Sequence, residues 1–155
     1  MMKASDVMSR EVVWIKESAS VWDAFLLMRQ HNISGLPVMD EQGNLSGMIT
    51  EGDVLRDVKS LHLPGHMKAL ESLLASWRDT HYEETVWKKS ARPVKDVMNF
   101  PVITVDEETN VGDIARIMLE ERINRIPVVR DGEVVGMVSR SDILRALVDR
   151  RAQED

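Results

Sequence analysis

The chain has 155 residues, 43% of them hydrophobic, which is enough for one compact core and too few for several large domains. Its net charge of -6 at pH 7 argues against general binding to nucleic-acid phosphates, because such binders usually carry a basic surplus. No apolar run approaches the roughly 20 residues that span a bilayer, the start lacks a secretion signal, and cysteine is absent, so we expect a cytoplasmic protein without disulfides or membrane contact.

An internal repeat organises the chain. Asp6-Val7-Met8 recurs as Asp96-Val97-Met98, and the similarity then continues for about fifty residues. A single-residue deletion near Gln42 shortens the spacing between matched residues of the two copies by one. Matched pairs include Val21 and Val111, Asp23 and Asp113, Met28 and Met118, Pro37 and Pro127, Gly47 and Gly136, and Asp53 and Asp142. We therefore assign residues 1–58 to a first copy, 59–91 to an insertion, 92–150 to a second copy and 151–155 to a polar tail.

Each copy predicts the same order of elements. A β-branched stretch, 12–15 or 102–105, predicts a strand, and Ser20 or Asn110 is a suitable N-cap for the helix that follows. That helix carries one apolar stripe. Its members are Val21, Ala24, Phe25 and Met28 in the first copy and Val111, Ile114, Ala115 and Met118 in the second.

After the helix, an apolar run, a turn and a second run predict a hairpin. The turns lie at Gln42-Gly43-Asn44 and Asp131-Gly132, and a last helix is expected to begin near Asp53 or Asp142. The first hairpin strand contains a proline in both copies, which predicts a small sheet with this strand at its edge or with the proline at a strand start.

The insertion over 59–91 contains a helical pattern from 67 to 79. Its apolar stripe could pack on the repeats or contact a partner. His62 and His66 have a spacing that helical zinc ligands can show, but Pro64-Gly65 between them argues against a regular helix, and we expect no metal site.

The repeated pattern closely resembles the cystathionine-β-synthase (CBS) domain. Its signature is present as Gly47-Met48-Ile49-Thr50-Glu51-Gly52-Asp53 and as Gly136-Met137-Val138-Ser139-Arg140-Ser141-Asp142, and the resemblance covers about 110 of the 155 residues. It implies an α/β (α+β) fold in which two βαββα repeats pack around a pseudo-two-fold axis, with the helical insertion between them. It also implies frequent homodimers and binding of adenosine-containing ligands such as AMP, ATP or S-adenosylmethionine.

The two Ser/Thr-x-x-Asp segments have two interpretations. Thr50 with Asp53, and Ser139 with Asp142, could simply satisfy backbone donors at a helix start. Alternatively, each carboxylate could accept hydrogen bonds from the two hydroxyls of a ribose, while the nearby amides attract an anion. Both interpretations can hold for one aspartate.

The resemblance further implies that each pocket is shared between the repeats. One pocket would combine Thr50 and Asp53 with Thr104, Asn124, Arg125, Ile126 and Pro127, and the other would combine Ser139 and Asp142 with Trp14, Ser34, Gly35 and Leu36. Because Arg125 can contact a phosphate in bidentate fashion and Gly35 cannot, we expect the phosphorylated nucleoside in the pocket of Asp53 and Arg125. The pocket of Trp14 would be empty, selective for a less charged ligand, or closed by the bulky ring. Arg125 could instead form only a surface ion pair.

The sequence contains no catalytic constellation of a known type, so we expect a protein that is not an enzyme. The resemblance suggests a stand-alone regulatory module: it binds an adenine nucleotide or S-adenosylmethionine, forms a homodimer and signals to an unidentified regulated protein. The alternative is a ligand-free dimerisation or scaffold module. A divalent-ion sensor built from acidic groups across a dimer interface is a third possibility.

Overall fold

The structure, a computed structural model, describes residues 1–60 and 92–154. The predicted helix over 67–79 and the pair of His62 and His66 lie outside the described residues. Among the helices of the described part, none has the length and apolar character needed to cross a membrane.

Each copy forms a three-stranded sheet with helices, which confirms the predicted mixed fold class. The first copy contains α1 (Ala4–Val7), β1 (Ile15–Lys16), α2 (Val21–His31), β2 (Gly35–Met39), β3 (Leu45–Thr50) and α3 (Glu51–Ser60). The second contains a 3-10 helix (Val94–Asp96), β4 (Val105–Asp106), α4 (Val111–Glu121), β5 (Arg125–Arg130), β6 (Glu133–Ser139) and α5 (Arg140–Glu154). In both sheets the first two strands are parallel and the last two form the predicted antiparallel hairpin.

The predicted N-caps and apolar stripes of α2 and α4 are confirmed. Ser20 Oγ accepts a hydrogen bond from the Asp23 amide at 3.0 Å, and Asn110 Oδ1 accepts one from the Gly112 amide at 2.7 Å. The residues that both helices bury are three of the four predicted for each stripe: Val21, Ala24 and Met28, and Val111, Ile114 and Met118.

Two strand predictions differ from the structure. The strands predicted over 12–15 and 102–105 begin only at Ile15 and Val105, because only two residues of each pair with the neighbouring strand. The predicted edge or strand-start position of the proline is wrong, since β2 and β5 are the central strands of their sheets and the proline is the third residue of each. Pro37 is tolerated there because β1 pairs with β2 only from Val38 onward, so no ladder partner on that side needs its missing amide hydrogen.

The leading segment of each copy packs against the other copy. Ala4 and Met8 belong to the apolar core of the second sheet, and Val94 belongs to that of the first. Ser9 exchanges two backbone hydrogen bonds of 2.9 Å with Met137. Asn99 makes the equivalent pair with Met48, at 2.8 and 2.9 Å. The two copies are therefore tied together by reciprocal crossing of these segments, which places Asn99 beside the start of α3.

The signature glycines allow these crossings. A Cβ atom at Gly47 would overlap the Met98 side chain and lie 3.1 Å from the Asn99 carbonyl oxygen. A Cβ atom at Gly136 would meet Met8 and the Ser9 carbonyl oxygen in the same way. Glycine is therefore required at both positions by close backbone approach.

Candidate functional site

Asp53 lies at the start of α3 with its carboxylate fully engaged. Its Oδ2 accepts hydrogen bonds from the Thr50 amide at 2.8 Å, the Thr50 hydroxyl at 3.0 Å and the Asn99 side-chain amide at 2.8 Å. Its Oδ1 accepts one from the Arg56 guanidinium. Only 2% of Asp53 is exposed. The Thr-x-x-Asp segment thus provides the predicted local cap, and a side chain from the second copy completes the set of donors.

Asp142 occupies the equivalent position at the start of α5 and has fewer partners. Its Oδ2 accepts from the Ser139 amide at 2.8 Å and the Ser139 hydroxyl at 2.7 Å, and the Asp142 amide donates back to that hydroxyl at 3.2 Å. The Arg145 guanidinium lies 3.7 Å from Oδ1, and the Asp142 side chain is 18% exposed. This carboxylate is therefore more accessible than that of Asp53.

Arg125 reaches across from the second copy to the first. Its guanidinium donates a hydrogen bond to Ser34 Oγ, and its side chain covers Gly35, where a Cβ atom would lie 2.7 Å from Arg125 Cδ. Burial lowers the pKa of the guanidinium from its ordinary value, and the charge of Glu51 partly opposes that shift. Gly35 and Arg125 occupy equivalent positions in the two copies, and the missing side chain at Gly35 leaves space for the Arg125 side chain.

The other predicted site residues are spread around these groups. Trp14 is 47% exposed and Thr104 is exposed. The Asn124 side chain is exposed, while its carbonyl oxygen accepts a hydrogen bond from the Arg140 amide at 2.8 Å. Leu36, Ile126 and Pro127 are fully buried. The structure thus joins Thr50 to Asp53, Ser139 to Asp142, and Arg125 to Ser34 and Gly35.

Asn99 and Arg56 both contact Asp53, and neither was among the site residues predicted from the sequence. Arg56 and Arg145 follow the aspartates by three residues in both copies, a helical spacing that favours contact. For Asn99 the available signal was its mismatch with Ser9, directly after the repeated Asp-Val-Met segment.

A separate open cleft of about 540 Å³ lies between the N-terminus and α5, where Met1, Met2, Asp149 and Arg150 contribute to its walls. None of the predicted site residues lines it. Within residues 1–60 and 92–154, no three His, Cys, Asp or Glu side chains are grouped to hold a metal ion. The convergent polar groups at Asp53 and Asp142 therefore define the candidate site better than this cleft does.

Several known proteins are similar to this chain. Protein MJ1404 of Methanocaldococcus jannaschii is 35% identical over 95% of the chain, and the chain spans only 32% of that relative's length. The structure of the CBS domain pair of protein MJ0100, in complex with 5'-methylthioadenosine and S-adenosyl-L-methionine, has a TM-score of 0.73 and 25% identity. That match covers 96% of this chain and 98% of the other.

CBSX2 of Arabidopsis thaliana is a second structural relative. Its structure in complex with AMP has a TM-score of 0.71 and 27% identity, covering 97% of this chain and 99% of the solved one. The chain spans 60% of the full CBSX2 sequence. The family model of the CBS domain matches residues 4–60 and 94–149. The chain therefore belongs to the CBS domain family and carries the domain twice.

Proposed function

We propose that this chain is a regulatory, non-catalytic module that binds an adenosine-containing ligand between its two CBS repeats and signals its occupancy to a separate protein. The observation that carries the proposal is the pair of equivalent aspartates, Asp53 and Asp142, each held at a helix start by a Thr or Ser three residues earlier. Cytoplasmic location is part of the proposal and is supported by the cysteine-free sequence.

The chemistry of the site suits a ribose next to a phosphate. A carboxylate has about four acceptor positions, so an aspartate that already caps its helix can still accept from vicinal hydroxyls where one oxygen is accessible. Backbone amides at the helix start favour an anion. Arg125, half-buried between the repeats, supplies a cation that can make bidentate contacts to phosphate oxygens. A phosphorylated ribonucleoside matches all three features.

The ligands of the relatives support the adenosine class. The solved CBSX2 contains AMP, and the solved MJ0100 pair contains 5'-methylthioadenosine and S-adenosyl-L-methionine. These molecules share a ribose and an adenine ring and differ in charge beyond the ribose. We therefore propose the shared adenosine part as the element that this chain recognises.

We further propose that two copies associate through α3 and α5. Leu55 and Leu144 occupy equivalent positions on these helices and are 69% and 53% exposed, and Leu147 and Val148 extend the apolar surface of α5. An apolar surface repeated on two equivalent helices suits an isologous dimer. A purely structural dimerisation role without ligand is the alternative, favoured by this same surface.

A thermal-shift screen with AMP, ATP, S-adenosylmethionine and NAD tests ligand binding directly. A ligand that binds only the folded state stabilises it by about 2.7 kcal/mol at a hundredfold excess over Kd. Inorganic phosphate and CMP serve as controls for the phosphate and for a different base. Stabilisation by an adenosine compound alone supports the proposal, and no shift with any compound favours the scaffold alternative.

The role of Arg125 is tested by comparing Arg125→Ala with Arg130→Ala. Arg130 lies at the other end of β5, exposed and paired with Glu107, so its removal changes the charge equally away from the site. We expect Arg125→Ala to weaken AMP binding in the pocket of Asp53 by about ten- to a hundredfold, the range for a lost hydrogen bond to a charged group. Titration calorimetry measures both variants, and an equal affinity of the Asp53 pocket in wild type and Arg125→Ala would remove Arg125 from that pocket.

A further inference from the structure

The two aspartates that would hold a ribose differ in how much of their hydrogen-bonding capacity is already used. Oδ2 of Asp53 accepts three hydrogen bonds and its Oδ1 accepts one from Arg56, which fills the carboxylate. Among the described residues, Oδ1 of Asp142 has only the ion pair with Arg145 at 3.7 Å. An incoming pair of hydroxyls therefore meets two hydrogen-bond donors at Asp142, both on Oδ2, and four at Asp53, three of them on Oδ2.

The third donor on Oδ2 of Asp53 comes from the crossing segment. Asn99 and Ser9 hold the same backbone position, since each exchanges two backbone hydrogen bonds with the methionine of the signature, Met48 or Met137. The Asn99 side chain extends to Asp53 at 2.8 Å. Serine is shorter, and within residues 1–60 and 92–154 no hydrogen bond joins Ser9 to Asp142. The backbones of the two crossing segments are equivalent, and the side chain at this one position makes the hydrogen bonding of Asp53 differ from that of Asp142.

The exposed guanidiniums do not explain the difference. Arg56 and Arg145 occupy equivalent positions, and their side chains are 71% and 70% exposed, so either can swing into solvent when a ligand arrives. Asn99 is also exposed, but two backbone hydrogen bonds with Met48 hold its main chain, and its short side chain loses less rotational freedom than an arginine when it stays at Asp53. Asn99 therefore competes with the ligand hydroxyls for the Asp53 carboxylate more persistently than Arg56 does.

We propose that Asn99 is a specificity-determining residue that occupies the ribose position at Asp53, so that the ligand binds first at Asp142. This inference rests on the proposed function. It reverses the expectation from the sequence that the pocket of Asp53 and Arg125 is the preferred one. Displacing a hydrogen bond to a charged group weakens the Asp53 pocket by at least about tenfold relative to the Asp142 pocket.

Titration calorimetry with AMP, repeated with S-adenosylmethionine, tests this on four proteins: wild type, Asn99→Ser, Asp142→Asn and the double variant. We expect one tight site per chain in wild type, two in Asn99→Ser, none of comparable affinity in Asp142→Asn, and one in the double variant. Asp142→Asn keeps the size of the side chain and an acceptor for Ser139, and thermal unfolding of each protein checks that it is folded.

The mirror variant Ser9→Asn provides an independent measurement. It places an asparagine beside Asp142, and we expect it to weaken the tight site of the wild-type protein by about tenfold. It leaves both aspartates unchanged, so a loss of affinity cannot come from a missing carboxylate.

The outcomes separate this inference from the proposed function. Two equal sites in wild type, or an unchanged number of sites in Asn99→Ser, overturn the role of Asn99 while leaving the proposed function intact. Binding by Asn99→Ser with none by wild type overturns Asp142 as the open pocket. No binding of either ligand by any of the proteins overturns the proposed function, and this inference fails with it.

Discussion

Asn32 and Arg122 end the equivalent helices α2 and α4, and both adopt the left-handed conformation, with φ of 51° and 56°. Asparagine visits this region readily because its short polar side chain can bond locally. For an arginine, Cβ approaches the following carbonyl oxygen, which costs about 1–2 kcal/mol. The same left-handed conformation is therefore less strained at Asn32 in the first copy than at Arg122 in the second.

We therefore predict that Arg122→Asn stabilises the protein. The free energy of unfolding should rise by up to about 1 kcal/mol because the left-handed penalty is reduced. Urea denaturation measures the change, with Asn32→Arg as the matched control that should lower stability by a similar amount. A less stable Arg122→Asn variant would mean that the Arg122 side chain makes a stabilising interaction larger than the backbone strain.

At the scale of elements, the crossing segments tie each copy to the other, and the glycines of β3 and β6 make this possible. In the sequence, Asp6-Val7-Met8 stands directly before the strands of the first copy and is predicted to belong with them. The structure pairs Ser9 with Met137, and it buries Ala4 and Met8 in the core of the second copy. Each CBS repeat therefore needs the start of the other to complete its core.

We predict that Gly47→Ala and Gly136→Ala each destabilise the protein by about 1–3 kcal/mol, the usual cost of forcing extra atoms into a packed interior. The new methyl group would overlap Met98 or Met8 and press on a backbone carbonyl. Gly52→Ala is the control, because its nearest contact is 3.5 Å away and alanine favours the helix. Chemical denaturation should show Gly52→Ala at least as stable as wild type, and unchanged stability of the other two would contradict the packing argument.

At the scale of the whole molecule, the proposed dimer depends on the exposed leucines of α3 and α5. We predict that Leu144→Lys converts a dimer to a monomer, because a lysine in an apolar interface loses its hydration without gaining a partner. Light scattering coupled to size-exclusion chromatography measures the mass. Glu133→Gln, on the exposed hairpin of the second sheet, controls for the one-unit change in net charge. A monomeric wild type, or a dimeric Leu144→Lys, would contradict the proposed interface.

The sequence alone determined the duplication, the helix caps at Ser20 and Asn110, the hairpins and the two aspartates at helix starts. These features depend on periodicity and on contacts a few residues apart, which a linear pattern records. Three features are visible only in the tertiary structure. They are the central position of the proline strands, the packing of Arg125 over Gly35 and the hydrogen bond from Asn99 to the Asp53 carboxylate. The hydrogen bond of Asn99 to Asp53 spans 46 positions and that of Arg125 to Ser34 spans 91. Such contacts arise because the crossing segments pack on the opposite copy, so side-chain identity in one repeat sets the accessibility of the site in the other.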